Sequence, residues 1–180
     1  MESLVEFWHY AAGLKLEERR GWKKLGLKHV ESVADHSLAL ALLAMLESER
    51  RSYDVGMALK LALIHDLEEA ITGDLTPQDK KSRGGERVRK ERQRAIRKLI
   101  RSLPAKNRTS YRRMWSDLQR SRTKEARLVH ELDKLEMALQ AHAYAKTVGN
   151  GRIKDFYRSA ARGIRDPALR RLLKSVTGGS

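Results

Sequence analysis

Met57-Ala58-Leu59-Lys60-Leu61-Ala62-Leu63-Ile64-His65-Asp66-Leu67-Glu68-Glu69-Ala70-Ile71-Thr72-Gly73-Asp74 is the stretch on which the fold turns. It opens on an apolar run interrupted only by Lys60. Asp54 stands before it as an N-cap, and Gly73 stands where a helix would stop, so a helix is expected over about Val55–Ile71. The end of that helix carries unusual chemistry for a core element. A histidine beside a carboxylate offers one nitrogen and one oxygen to a divalent metal. Neutral imidazole with carboxylate suits manganese, iron, cobalt, nickel or zinc. Alone, the dipeptide is weak, because a histidine in such a place is more often a hydrogen-bonded core residue.

Outward from this segment, almost everything reads as helix. Ser32 and Asp35 have the spacing of a capping box and open a helix over about Val33–Arg50. Other helices are expected at about Leu4–Leu16, Glu86–Arg101, Asn107–Arg120 and Thr123–Thr147. Gly149-Asn150-Gly151 breaks the chain, a short helix runs on to about Ala161, and Asp166-Pro167 opens the last one as N-cap and first helical position. The segments Arg19–Val30 and Thr76–Gly85 read as loops, and Gly178–Ser180 as a frayed tail. Val, Ile and Thr do not alternate in strand-like runs, and only 3 prolines and 12 glycines punctuate the chain. The expected fold class is therefore all-α, a helical bundle forming a single domain over residues 1–180. Its motif-bearing core covers about 19–147, and its C-terminal helices about 150–177.

The 180 residues include no cysteine, which excludes a disulfide framework and a thiolate metal site. Met1–Tyr10 lacks the apolar run of a secretory signal, and no apolar run is long enough to span a membrane, so a soluble cytoplasmic protein is expected. The net charge of +15, from 38 Lys and Arg against 23 Asp and Glu, draws anionic partners. Small phosphorylated substrates and nucleic acid both qualify, while the run of cations from Lys80 to Arg101 also reads as a solvated helix face.

Three further features strengthen the metal reading. His36 follows Asp35 at the start of the apolar helix Ser37–Ala44. Asp133 falls on the helix face that carries Val129, Glu136, Met137 and Gln140, where an unpaired carboxylate is costly. Glu69 lies about one turn beyond His65 and Asp66, with Asp74 soon after.

The order of these residues resembles the HD-domain phosphohydrolases: a histidine, a distant His-Asp pair and a later aspartate. More closely, the chain is similar to the HD-domain 5'-deoxynucleotidases, which remove phosphate from deoxyribonucleoside 5'-monophosphates. The resemblance is carried by Arg19-Arg20-Gly21-Trp22, Glu31–Ser37, Leu63–Pro77 and Glu131–Met137, in the family's order and roughly its spacing. It implies that His36, His65, Asp66 and Asp133 are metal ligands and that Glu69 is a catalytic carboxylate that activates or positions water. It further implies a second cation at Glu69, Asp74 and the backbone carbonyl of Leu75, with Asp74 also catalytic and touching the sugar. An arginine, Arg19 with Arg20 as the alternative, and Trp22 would form a substrate clamp. Homodimers are common among the relatives, so one is implied here. The metal's identity stays open among manganese, cobalt, iron, nickel, magnesium and zinc. The chain departs from the family's pattern at Arg20, where a small residue is usual, and at Lys90-Glu91-Arg92-Gln93-Arg94, where an acidic run is usual. The added positive charge could widen substrate choice toward more highly charged nucleotides.

The leading expectation is a metal-dependent phosphohydrolase that takes the 5'-phosphate from (deoxy)ribonucleoside monophosphates. The alternatives are an HD-type phosphodiesterase acting on cyclic nucleotides or oligonucleotides, and a basic nucleic-acid-binding helical protein with a non-catalytic metal site. Nucleic acid is the less favoured partner. Trp22 also reads as an ordinary loop anchor; Phe7, Trp8 and Trp115 read as core or helix-packing residues, and His130 and His142 as helix-surface residues. Glu68 reads equally as an orienting carboxylate and as a solvated one.

Overall fold

The computed structural model describes residues 2–178, apart from the side chains of residues 2, 3 and 150. Of the expected tail, residues 179 and 180 lie outside the described residues. The elements in chain order are α1 Glu2–Gly13, α2 Arg20–Lys23, α3 Val33–Arg50, α4 Val55–Ile64, α5 Glu69–Thr72, α6 Pro77–Arg83, α7 Gly85–Ser102, α8 Ala105–Arg120, α9 Lys124–Val148, α10 Asn150–Gly163 and α11 Pro167–Thr177. The all-α expectation holds: the only pairing of β type among the described residues is a single antiparallel bridge between Glu18 and Ser32. No described helix is long and apolar enough to cross a membrane.

The helix starts follow capping chemistry. Ser32 accepts from the Asp35 amide while Asp35 accepts from the Ser32 amide, completing the expected capping box of α3. Asp54 caps α4 through the Met57 amide, and Asp166 caps α11 through the amides of Ala168 and Leu169.

Three expectations need correction. The expected loop Arg19–Val30 contains the one-turn helix α2, Arg20–Lys23. Residues 76–85 are not a loop. Thr76 and Asp79 form a second capping box, with Pro77 in the first turn, and start α6. A polar composition hid a helix start that the Thr-Pro-Gln-Asp spacing encodes. The helix expected to run to Ile71 also ends early, at Ile64. Beyond it the chain tightens into i→i+3 turns, with the Leu67 amide on the Ile64 carbonyl at 3.3 Å and the Glu69 amide on the Asp66 carbonyl at 2.9 Å. His65, Asp66 and Glu68 therefore lie on a break between two helices, with Glu69 opening α5. Gly73 closes this region with φ at +72°, a conformation that other residues rarely adopt.

α3, α4 and α9 pack against one another, and α10 and α11 lie on α9. The core between them is built from side chains such as Val33, Leu40, Leu61, Val129 and Leu132. A separate small cluster surrounds Trp22, Ala141 and Ile153. The Glu18–Ser32 bridge ties the segment before α2 to the start of α3: the Arg19 amide donates to the Glu31 carbonyl at 3.1 Å, and the Val33 amide to the Glu17 carbonyl at 2.8 Å. Arg19 is thereby held beside His36. Trp8 departs from the packing expectation, being 57% exposed, whereas Trp115 is buried and Phe7 half-buried.

Candidate metal centre and active site

The N-terminal end of α3, the break after α4 and the middle of α9 meet at one point. His36 comes from α3 and is fully buried, as its place on the core face of an apolar helix requires. His65 and Asp66 come from the break, and Asp133 from α9. The Nε2 atoms of His36 and His65 stand 3.3 Å apart. Asp66 Oδ2 is 2.9 Å from His65 Nε2, and Asp133 Oδ1 is 3.3 Å from His36 Nε2. His36, His65 and Asp66 form one grouping, with donor atoms within 4.8 Å of one another. Asp133 joins it through His36, while its other oxygen takes the Lys134 ammonium at 2.8 Å.

This arrangement fits a divalent cation. Adjacent donors on an ion with bonds of about 2.1 Å lie about 3.0–3.4 Å apart, close to the spacings seen here. The protonation pattern agrees. His65 Nδ1 donates to the Ala62 carbonyl at 2.7 Å, and His36 Nδ1 donates to Glu136 Oε2 at 2.5 Å. Each neutral ring then turns a bare lone pair at Nε2 toward the other, an arrangement that a shared cation reconciles. Burial disfavours charge on His36, but the Asp133 and Glu136 carboxylates outweigh it and push its pKa up to about 10. The pair thus attracts a positive charge, whether proton or metal.

Glu136 and Glu31 belong to a second grouping with His36, on its Nδ1 side. Since Nδ1 carries the proton, this side orients the ring, as a carboxylate behind a metal-ligating histidine commonly does. Glu136 lay on the same helical face as Asp133 in the sequence, but only the packing of α9 against α3 reveals which histidine it serves.

A cavity of about 670 Å³ opens over the centre and is lined by His65, Asp66, Glu69, Asp74, Leu75 and Asp133 among others. Glu69 is buried, and its Oε2 atom has no hydrogen-bond partner. Burial, with the Asp66 and Asp74 carboxylates nearby, pushes its pKa up to about 9. Asp74 receives the Arg20 amide at 2.6 Å, and its own amide donates to Glu17 Oε1 at 2.9 Å.

The two arginines part company. Arg19 lines the cavity with a side chain only 14% exposed, 3.6 Å from Asp66, 3.8 Å from Asp74 and 3.9 Å from Glu31. Burial works against its charge, but Asp66, Asp74, Asp133 and Glu69 outweigh that and hold the guanidinium protonated more firmly than a free arginine. At these distances it is paired in charge without its donors being spent. Arg20 is exposed and not among the residues lining the cavity, and it meets Asp74 through its backbone amide. Of the two candidates, the structure puts the Arg19 side chain in the cavity lining, while Arg20 supports Asp74 through its backbone. The bridge to α3 sets this register, which the Arg-Arg pair alone left open.

Trp22 also borders the cavity, yet it is only 1% exposed. Its ring stacks on Phe156 with centroids 4.2 Å apart, Tyr144 meets it edge-on, and its indole N–H donates to Glu31 at 2.7 Å. These contacts occupy the ring that a clamp would need, so the structure places Trp22 as the anchor of the loop that carries Arg19. Glu68 is buried against Arg92, whose guanidinium also donates to the His65 carbonyl at 3.1 Å. The solvated reading of Glu68 does not survive, and Arg92, from the stretch that departs from the family's pattern, braces the His65-Asp66 turn. His130 borders the cavity but gives Nε2–H to the Leu118 carbonyl at 2.7 Å.

Comparison with known proteins agrees with the geometry. Residues 11–171 match a family described as HD domain. The chain is 35% identical over 176 residues to the 5'-deoxynucleotidase HDDC2 of Xenopus laevis, covering 97% of this chain and 86% of that protein. It is 32% identical to the human protein of the same name, covering 97% and 84%. Among solved structures, a conserved hypothetical protein from Pyrococcus furiosus superposes with a TM-score of 0.76 at 28% identity, covering 96% of this chain and 98% of that one. In sequence and architecture alike, the chain belongs to the HD-domain family.

Proposed function

We propose that this protein is a metal-dependent phosphohydrolase that converts a (deoxy)ribonucleoside 5'-monophosphate to nucleoside and inorganic phosphate. The observation that carries the reading is Arg19: a buried guanidinium with unspent donors, facing a cavity whose floor holds two histidines and two carboxylates in metal-binding array. The names of the relatives supply the substrate class. His36, His65, Asp66 and Asp133 would hold one cation, and Glu69, Asp74 and the Leu75 carbonyl a second. A divalent cation bound there polarises a phosphate oxygen and lowers the pKa of a nearby water.

The chain's own groups do the rest. Arg19 takes two nonbridging phosphate oxygens and neutralises their charge as it grows in the transition state. Glu69, which a cation held beside it would keep ionised, takes a proton from the attacking water as the new O–P bond forms. The bond from phosphorus to the 5'-oxygen breaks, and the leaving oxygen receives the proton that Glu69 took from the water. Asp74, fixed from both sides by Arg20 and Glu17, accepts a hydrogen bond from the sugar. Glu136 holds the His36 ring in place.

The same reading takes the chain as one cytoplasmic domain acting as a homodimer. Leu38, Leu42 and Leu46 follow one another at single-turn spacing on the outer face of α3, and Leu63 stands on the adjoining α4; all four are 51–60% exposed. A second copy of this face would cover them, since an apolar stripe of this kind marks an interaction surface. Light scattering should give twice the chain mass, and Leu42→Glu should give the single mass.

A screen for phosphate release over nucleotides, with manganese, cobalt, magnesium and zinc in parallel, tests the activity. Release of inorganic phosphate from 5'-monophosphates supports the proposal. Release of a nucleotide from cyclic or oligomeric substrates, with monophosphates left intact, would replace it with a phosphodiesterase.

A further inference from the structure

The cavity over the metal centre is divided by charge. All its lining carboxylates, Asp66, Glu69, Asp74 and Asp133, belong to the floor, where Arg19 sits among them. Five other cations line the same cavity: Lys80 from α6, Arg89 and Arg92 from α7, Arg120 from α8 and Lys134 from α9. Two of these are already committed, Arg92 to Glu68 and Lys134 to Asp133. Lys80, Arg89 and Arg120 are exposed and come from three different helices, so they stand at the mouth. Arg89 has only a 4.0 Å contact with Glu86, between side chains that are each 68% exposed, which solvent screens.

A 5'-monophosphate has one phosphate, and the floor accounts for it with Arg19 and the four candidate ligands. Three cations without a close ion pair border the same cavity, whose lining carboxylates all belong to the floor, and they are more than that substrate uses. We infer that the mouth formed by Lys80, Arg89 and Arg120 is a second phosphate subsite, so that the preferred substrate carries a further phosphate outside the scissile one. Two compounds share this chemistry: a nucleoside 3',5'-bisphosphate, and a dinucleotide with a 5'-terminal phosphate whose internucleotide phosphate is the second anion. In either, water forms a bond to the 5'-phosphorus, the bond to the 5'-oxygen breaks, and the second phosphate leaves unchanged on the product. The inference rests on the floor being a phosphomonoesterase site.

The test compares a deoxynucleoside 5'-monophosphate with both compounds on the metal-loaded protein. It reads kcat/KM for phosphate release, and separately the equilibrium binding of each compound to Glu69→Gln protein. With the second phosphate present, kcat/KM and affinity should each rise by about 10-fold or more at low salt, and the advantage should shrink toward about 0.5 M salt. The triple variant Lys80→Ala, Arg89→Ala, Arg120→Ala should erase the advantage while leaving the monophosphate within about 3-fold. A control removing Arg97, Arg101 and Arg112, exposed cations that do not line the cavity, should retain it. Whichever compound gains more identifies the source of the second phosphate. The inference is overturned by equal binding of mono- and bisphosphate, or by an equal loss in the control, which would assign the effect to overall charge. If no compound releases phosphate, the monoesterase reading fails, and the binding comparison still decides the subsite.

Discussion

Replacement of Arg19 by alanine tests the site's electrostatics as well as its chemistry. The guanidinium lies 3.6–3.9 Å from three carboxylates, with its side chain 14% exposed. A unit charge pair at about 4 Å is worth about 4 kcal/mol at an effective dielectric constant of 20, before the cost of burying the charges is set against it. Removing one partner from a buried pair typically costs about 3–5 kcal/mol, and water entering the opened cavity reduces this. We expect the metal-free variant to lose about 2–4 kcal/mol, or roughly 5–15 °C in melting temperature for a chain of this size. A divalent cation should restore most of that loss, because it neutralises the same carboxylates, so metal should stabilise Arg19→Ala more than the wild type. Activity should not return with it: kcat/KM for a monophosphate should fall by roughly 10–1000-fold, or about 1.4–4 kcal/mol of transition-state stabilisation. Arg19→Lys should recover only part of the activity, since an ammonium cannot grip two oxygens in one plane. Arg20→Ala keeps the backbone amide on Asp74 and should stay within a few fold of wild type. Differential scanning fluorimetry with and without manganese, alongside phosphate release, reads all of these. Full activity in Arg19→Ala, or a large defect in Arg20→Ala with none in Arg19→Ala, would refute the assignment.

Glu69→Gln should keep a cation at the two-histidine site but lose on the order of 100-fold or more in turnover, measured by phosphate release and metal analysis; unchanged turnover with every metal rejects its role as base. Glu136→Gln should weaken metal affinity about 10–100-fold in chelator competition, with turnover largely recovered at saturating metal, as expected of a positioning residue; an unchanged affinity would remove Glu136 from the centre. Above about pH 5, where the carboxylates of lowered pKa are already ionised, pH should act on the metal-free protein in one direction. His36, with its pKa pushed up to about 10, stabilises the fold fully below its ordinary value of 6.5 and loses that contribution as the pH rises toward 10. Glu69, pushed up from 4.5 to about 9, favours its protonated form, so its ionisation also costs stability as the pH rises from 4.5 to 9. The melting temperature of metal-free protein should therefore fall between about pH 5 and 9, while metal binding near neutral pH releases at least one proton, countable by calorimetry in buffers of different ionisation enthalpy. A flat melting profile and no proton release would contradict the proposed ionisation states.

Local chemistry made much of the architecture readable in advance. The capping boxes and Asp-Pro starts act within a few residues, so Ser32–Asp35 and Asp166-Pro167 declared their helices directly. The Thr76–Asp79 box obeys the same rule and was masked only by its polar surroundings. The four candidate ligands were legible because polar side chains on apolar helix faces need a partner, whichever elements supply it. The break after Ile64 was not legible. The run through Ile71 is helix-compatible throughout, and the tighter turns that aim His65 and Asp66 coexist with tertiary supports such as Arg92 on the His65 carbonyl.

The sequence by itself determined the long helices, several of their starts, and the set of nitrogen and oxygen donors available to a cation, since these depend on residue type and short-range spacing. Only the tertiary structure decided which arginine lines the cavity, that the Trp22 ring packs on Phe156 and Tyr144, that Glu136 meets His36, and that Lys80, Arg89 and Arg120 border one cavity. Each of these is a relation between segments far apart in the chain. A side chain's direction there is fixed by packing and by hydrogen bonds such as that from the Arg19 amide to the Glu31 carbonyl, which no local pattern of residues specifies.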